Sequence, residues 1–179
     1  MSGVRIGARS WTAEQWEGLR YLTLETGTTL PAGTVLPAGL LELWLSGATL
    51  PAGMVLPAGL RKLWLSGDGS LPAGTVLPAG LLELWLSGGT LPAGTVLPAG
   101  LRQLRLYHTT LPAGTVLPAG LQYLWLYHGT LASGTVLPAG LRELWLDKAT
   151  LPAGTVLPAG LRVEVIGAVV WAEEVETPI

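Results

Sequence analysis

Hydrophobic and polar positions recur along this chain with a period of 20 or 21 residues. Leu19, Leu40, Leu60, Leu81, Leu101, Leu121, Leu141 and Leu161 open eight copies of one unit, at spacings of 21, 20, 21, 20, 20, 20 and 20. Such self-similarity marks a repeat array, in which one unit cannot bury its apolar face alone and stacked neighbours can. A clean copy, LRELWLDKATLPAGTVLPAG, covers residues 141–160. Within it, Leu-x-x-Leu-Trp-Leu alternates with period two around its fourth and sixth positions, which predicts a short strand. Its Leu pairs, such as Leu43 with Leu45 and Leu63 with Leu65, point one way, and the residue between them points the other. Two Leu-Pro-Ala-Gly tetrads follow, separated by Thr-Val. Pro at the second position and Gly at the fourth suit type I turns. Each unit is therefore expected to turn two corners joined by a short extended link. No helix fits inside it. Successive coils should stack their strands in parallel, about 4.7–4.9 Å apart, around a continuous core of Leu and Val.

The two 21-residue units carry their extra residue before the Leu-Pro, at 27–30 and 68–71, which predicts a loop on that edge of the coil. Residues 1–18 are expected to form an N-terminal cap, 19–166 the eight-unit solenoid, and 167–179 a C-terminal cap and tail. Thr12 and Gln15 fit a capping box before a short helix, with Trp11 and Trp16 available to cover Leu19, Leu22 and Leu24. Val169, Val170 and Trp171 precede an acidic tail with Glu173, Glu174 and Glu176.

With a Leu-x-x-Leu-x-Leu strand in a 20-residue unit, residues 19–166 resemble a leucine-rich-repeat array. The phrase Leu-Pro-x-Gly-Leu-x-x-Leu-x-Leu is similar to the short bacterial type of that repeat. The Leu-Pro, Gly and Leu spacing is also similar to FNIP repeats. The resemblance implies that the strand face is a concave binding surface. One feature departs from the family. Its usual Asn, three residues after the last Leu of the strand, is replaced by Gly27, Ala48, Asp68, Gly89, Thr109, Gly129 and Ala149. Without that buried Asn ladder, a plainer β-solenoid with a second narrow sheet on the Thr-Val side stands beside the leucine-rich-repeat reading. The expected fold class is thus a mainly β repeat solenoid, with one parallel strand per coil and little or no helix outside the N-terminal cap.

In stacked coils the same repeat position forms a column. Between the two strand Leu stand Thr23, Trp44, Trp64, Trp85, Arg105, Trp125 and Trp145, an outward stripe in which Arg105 is placed to stack between flanking indoles. Beside it run Tyr21, Glu42, Lys62, Glu83, Gln103, Tyr123 and Glu143 on one flank, and Glu25, Ser46, Ser66, Ser87, Tyr107, Tyr127 and Asp147 on the other. An apolar centre with a polar and aromatic rim is interface anatomy, and an exposed apolar patch of several hundred Å² marks an interaction site. The candidate binding face is therefore Trp44, Trp64, Trp85, Arg105, Trp125 and Trp145, with Tyr107, Tyr123 and Tyr127. It is expected to bind a protein, or to mate with copies of this chain in an oligomer or filament. A carbohydrate on the indoles, or ice on the ladders of Thr29, Thr49, Ser70, Thr90, Thr110, Thr130 and Thr150 and of Thr34, Thr75, Thr95, Thr115, Thr135 and Thr155, is the alternative. Those Thr also suit hydroxyl bonds to backbone at the turns.

Composition narrows the function classes. With a formal net charge of −2 and ten Lys and Arg scattered along the chain, bulk charge supports no nucleic-acid partner. The 49% hydrophobic content excludes a disordered chain. The mean hydropathy of +0.48 raises the question of a membrane, but a spanning helix needs about 18 consecutive apolar residues, and Pro-Ala-Gly interrupts every coil. There is no Cys, hence no disulfide or thiolate metal site. His108 and His128 fall at equivalent positions without a third ligand, so neither metal nor cofactor is expected. No nucleophile–base set or phosphate loop occurs, and the chain is expected not to be an enzyme. Its first residues lack the apolar core of a signal peptide, so a cytoplasmic chain without a membrane partner is the expectation.

Overall fold

The computed structural model describes residues 3–6, 18–67, 69–88, 91–167 and 170–171. Each repeat contributes one strand: β2 (Tyr21–Leu24), β3 (Glu42–Ser46), β4 (Lys62–Ser66), β5 (Glu83–Ser87), β6 (Gln103–Tyr107), β7 (Tyr123–Tyr127), β8 (Glu143–Asp147) and β10 (Arg162–Ile166). These stack in parallel, in chain order, and β1 (Gly3–Ile6) adds to β2 as a ninth strand of the same sheet. Register is strict. Leu43, Leu63, Leu84, Leu104, Leu124 and Leu144 pair in succession. Parallel neighbours need a crossover, usually a helix. Here the remainder of each coil serves, and no helix occurs among the described residues. None is therefore long and apolar enough to cross a membrane. The capping box at 12–15, Trp11, Trp16, and the acidic tail lie outside the described residues, so β1 is what the structure shows of residues 1–17.

The core is built from five Leu columns. In the coil that opens at Leu81 these are Leu81, Leu84, Leu86, Leu91 and Leu97, all buried. The expected contribution of Val to that core is corrected. Val35, Val55, Val76, Val96, Val116, Val136 and Val156 are 72 to 84% exposed. The flattened coil is already filled by Leu. Along Thr-Val-Leu, alternation turns Leu97 inward and Val96 outward.

The corners also differ from expectation. Pro opens both turns instead of taking the second position: Thr115 N–H donates to the Pro112 carbonyl at 3.1 Å, and Leu121 N–H to the Pro118 carbonyl at 3.0 Å. The same Pro-Ala-Gly word then takes two shapes. Gly114 has φ of 78°, as the third residue of a type II turn requires, whereas Gly120 lies outside the left-handed region, as in type I. A Cβ on Gly114 would meet nothing within 4 Å, but one on Gly120 would lie 2.8 Å from the Ala99 carbonyl oxygen of the preceding coil. One glycine is held by its dihedral angle, the other by the closeness of coil stacking.

A second narrow ladder exists, but not on the Thr-Val side, where no strand forms. It runs through Thr29, Thr49 and Ser70, and again through Thr110, Thr130 and Thr150, with β9 (Thr150–Leu151) pairing β11 (Val170–Trp171). The inserted residues shift the column that replaces the Asn ladder. Thr28, and not Gly27, is the buried member in register with Ala48, and Gly69 is buried at the same place in the next coil; Asp68 lies outside the described residues.

Candidate functional site

Strand register makes the outward face a grid of three rows. Alternation buries the Leu on either side of each central residue, so Trp44, Trp64, Trp85, Arg105, Trp125 and Trp145 stand side by side on neighbouring strands. Five steps of about 4.8 Å make this row roughly 24 Å long. Trp44 meets Trp64 edge-on at 63°, and Trp64 tilts 39° against Trp85 with ring centroids 4.8 Å apart. The Arg105 guanidinium is sandwiched, with Cζ 4.0 Å from the Trp85 ring centroid and 4.1 Å from that of Trp125. Planarity is what allows a guanidinium to take an indole's place in such a stack. The ring faces of Trp85 are thus occupied by its neighbours, and the edges are what the row presents.

The first flanking row holds a chain of opposite charges. Lys62 Nζ lies 3.8 Å from Glu42 Oε1 and 3.5 Å from Glu83 Oε1. Farther along, Tyr123 stacks on Trp125 at 5.7 Å, and Trp145 Nε1 donates to Glu143 Oε2 at 3.2 Å. Arg162 continues the row, donating through Nε and Nη2 to Glu164 Oε1.

The second flanking row changes character halfway. Ser46, Ser66 and Ser87 leave the sides of Trp44, Trp64 and Trp85 uncovered, and a groove of about 700 Å³ runs between the two rows, with Thr23 and Glu25 at its β2 end. In β6 the Ser gives way to Tyr107, whose ring stacks on Trp85 at 6.4 Å, and Tyr127 follows at 5.5 Å from Tyr107. The tyrosines fill the space that the serines leave open, so the groove ends there. The three Trp of the candidate face therefore line a recess, while Arg105, Trp125, Trp145 and the three Tyr form a packed aromatic surface beside it. The row identities were readable in the sequence. The recess was not, because it depends on how the Ser and Tyr side chains fill the space beside the rings.

Three donors on this face find no acceptor among the described residues: Trp64 Nε1, Trp85 Nε1 and Arg105 Nε are buried without a hydrogen bond. Leaving such a group unpaired costs about 1–3 kcal/mol.

His108 and His128 stack with ring centroids 4.5 Å apart and planes within 12°. Both occupy a left-handed position at the strand exit, with φ of 49° and 48°, where earlier coils use Gly47, Gly67 and Gly88. Their N–H groups donate to Tyr127 and Asp147 carbonyls of the next coil. No group of three metal-ligating side chains occurs among the described residues. The corner Thr hydroxyls are used internally, each bonding the Pro or Ala carbonyl three residues back, as in Thr75 to Pro72 at 2.7 Å.

A single parallel sheet with one strand per 20-residue coil, a Leu-column core and an outward face of aligned side chains defines the class: a leucine-rich-repeat-like solenoid. No family model matches the chain, and no curated protein matches it in sequence. Among solved structures it is similar to the leucine-rich-repeat protein YopM from Yersinia enterocolitica WA-314, with a TM-score of 0.51 and 25% identity over 89% of this chain. The chain spans 40% of the length of that structure.

Proposed function

We propose that this chain is a non-enzymatic protein-binding scaffold whose partner docks on the strand face, anchored in the groove along Trp44, Trp64 and Trp85. The groove carries the reading: it combines indole walls, a Ser row and unpartnered ring N–H groups. Its lining is uncharged apart from Glu25, and Glu42, Lys62 and Glu83 lie across the Trp row, paired with one another. The partner segment is therefore one that offers an apolar anchor. Binding of this kind concentrates its energy in a few buried aromatic contacts.

Carbohydrate stacking is the weaker reading. A sugar ring packs on an open indole face, and the faces of Trp85 are taken by Trp64 and the Arg105 guanidinium. Ice binding is weaker too, since the Thr hydroxyls are engaged within the protein.

Selection of a displayed peptide library on the wild-type chain tests the proposal, with the variant carrying Trp64→Ala and Trp85→Ala as counter-target. Enriched peptides should be rich in aromatic or aliphatic residues, bind with a change in Trp emission, and lose at least ~30-fold in affinity on the variant, as loss of a 2 kcal/mol anchor implies. Peptides that bind both proteins equally, or specific binding of oligosaccharides in their place, would refute it.

A further inference from the structure

The side of the coil opposite the strand face is unlike the rest of the surface. From the Thr or Ser column to the Leu that opens the next coil, as in 49–60, 70–81, 110–121 and 150–161, no coil contains Asp, Glu, Lys, Arg or His. Within the repeats, charge is confined to the strands and the residues beside them. Along the middle of this uncharged back runs the ridge of exposed Val, from Val35 to Val156, one per coil. The ridge runs over six coil-to-coil steps. It holds no part of the core together, so packing within the chain does not explain it. Thr34, Thr75, Thr95 and Thr115 beside it turn their hydroxyls back onto Pro carbonyls, which leaves little polar surface on the ridge.

Between successive Val lie regular hollows. Those from Val76 to Val96, Val96 to Val116, Val116 to Val136 and Val136 to Val156 have volumes of about 190, 150, 190 and 190 Å³. Each is lined by the Gly-Thr-Val of one coil and the small Ala-Gly or Ser-Gly corner of the next. Knobs and hollows share the repeat of the sheet. Another copy of this chain presents the same repeat, so its Val methyls meet the hollows at every step once the two ridges are offset by half a step.

We propose that two copies of the chain pair back to back through this Val ridge, interdigitating as dry zippers of identical ladders do. A two-fold pairing is self-complementary and closed, so it ends at the dimer. Seven Val at roughly 60 Å² of apolar side chain each give about 400 Å² per copy. The exposed Ala columns on both flanks, such as Ala93 and Ala99, bring the total buried by two copies toward the ~1,200 Å² of a small specific interface. No charge has to be desolvated. The pairing leaves both Trp faces outward, so the dimer would be bivalent for whatever the strand face binds, with the gain in avidity that two linked sites allow. The proposal does not rest on the function proposed for that face.

Sedimentation velocity on the full chain over a wide range of concentration tests it. The wild type should show a concentration-dependent dimer. Val96→Glu with Val116→Glu places like charges across the two-fold interface and should weaken the dimer about 100-fold or more. Both residues point to solvent in the single chain, so the circular dichroism spectrum should be unchanged, as should the melting midpoint at concentrations where the wild type is monomeric. Trp64→Ala should leave the dimer intact. A wild type that stays monomeric at high micromolar concentration overturns the proposal, as does a dimer indifferent to the Glu pair or one lost with Trp64→Ala. Val-dependent binding to phosphatidylcholine vesicles by a monomeric chain would also overturn it, because the ridge would then cover itself with lipid.

Discussion

Gly114 and Gly120 follow the same Pro-Ala dipeptide in one coil, six residues apart, yet substitution should separate them. Ala at 114 must adopt a φ near 78°. The left-handed region costs an L-residue about 1–2 kcal/mol. Part of this is offset by about 0.4–1 kcal/mol, because Ala restricts the unfolded chain. Asn tolerates that region, and nothing lies within 4 Å of the new Cβ, so Gly114→Asn should cost well under ~1 kcal/mol. Gly120 reverses the logic. Its new Cβ would lie 2.8 Å from the Ala99 carbonyl oxygen. That oxygen belongs to the backbone of the stacked coil and cannot rotate away. Relief requires opening the spacing between two coils, an overpacking cost of about 1–3 kcal/mol. Asn helps no more than Ala there. The two Asn variants should therefore differ by about 1.5 kcal/mol or more, or roughly 3–6 °C in melting midpoint for a chain of this size. Because coil stability in a solenoid sums local and nearest-neighbour terms, placing both changes in one coil cancels their position along the array. Thermal and urea melts followed by far-ultraviolet circular dichroism measure the difference. Equal destabilisation by Gly114→Asn and Gly120→Asn would refute the assignment of one glycine to dihedral angle and the other to space.

Three further outcomes are expected. Leu104→Ala empties a fully buried site in the central strand pair and should cost about 2–5 kcal/mol in urea unfolding, far more than Val96→Ala on the exposed ridge. Arg105→Ala removes a cation from between Trp85 and Trp125. It should cost about 1 kcal/mol and alter Trp fluorescence, and Arg105→Lys should not restore either, because an ammonium lacks the plane that stacks. Lys62→Met breaks contacts to both Glu42 and Glu83 at a partly exposed position; melts should show a loss below ~1 kcal/mol that disappears in molar salt.

Much of the fold was legible because each coil repeats the same instructions. The Leu-x-Leu alternation predicts strand, facing direction and parallel stacking, and all eight repeat strands fall where it places them. Placing the indole row needed only that alternation plus the period. The misreadings have physical causes. Val was assigned to the core on hydrophobicity alone, but the coil interior has room for five Leu columns and no more, so the residue out of phase with Leu97 faces water. The β1 strand was missed because Gly3–Ile6 lies outside the repeat and pairs with residues eighteen positions away.

By itself the sequence determined the period, the strand in each coil, the Leu core, the outward aromatic row and the absence of charge from one side, because each follows from local alternation copied eight times. Only the tertiary structure decided what adjacency adds. It set the two identical Pro-Ala-Gly words into different turns, since one corner packs against the coil before it and the other does not. It turned the change from Ser in β3 to β5 to Tyr in β6 and β7 into a groove at one half of the face. It left the Val ridge in solvent. Spacing along a chain sets which way a side chain points; the room it finds there depends on neighbours twenty residues away.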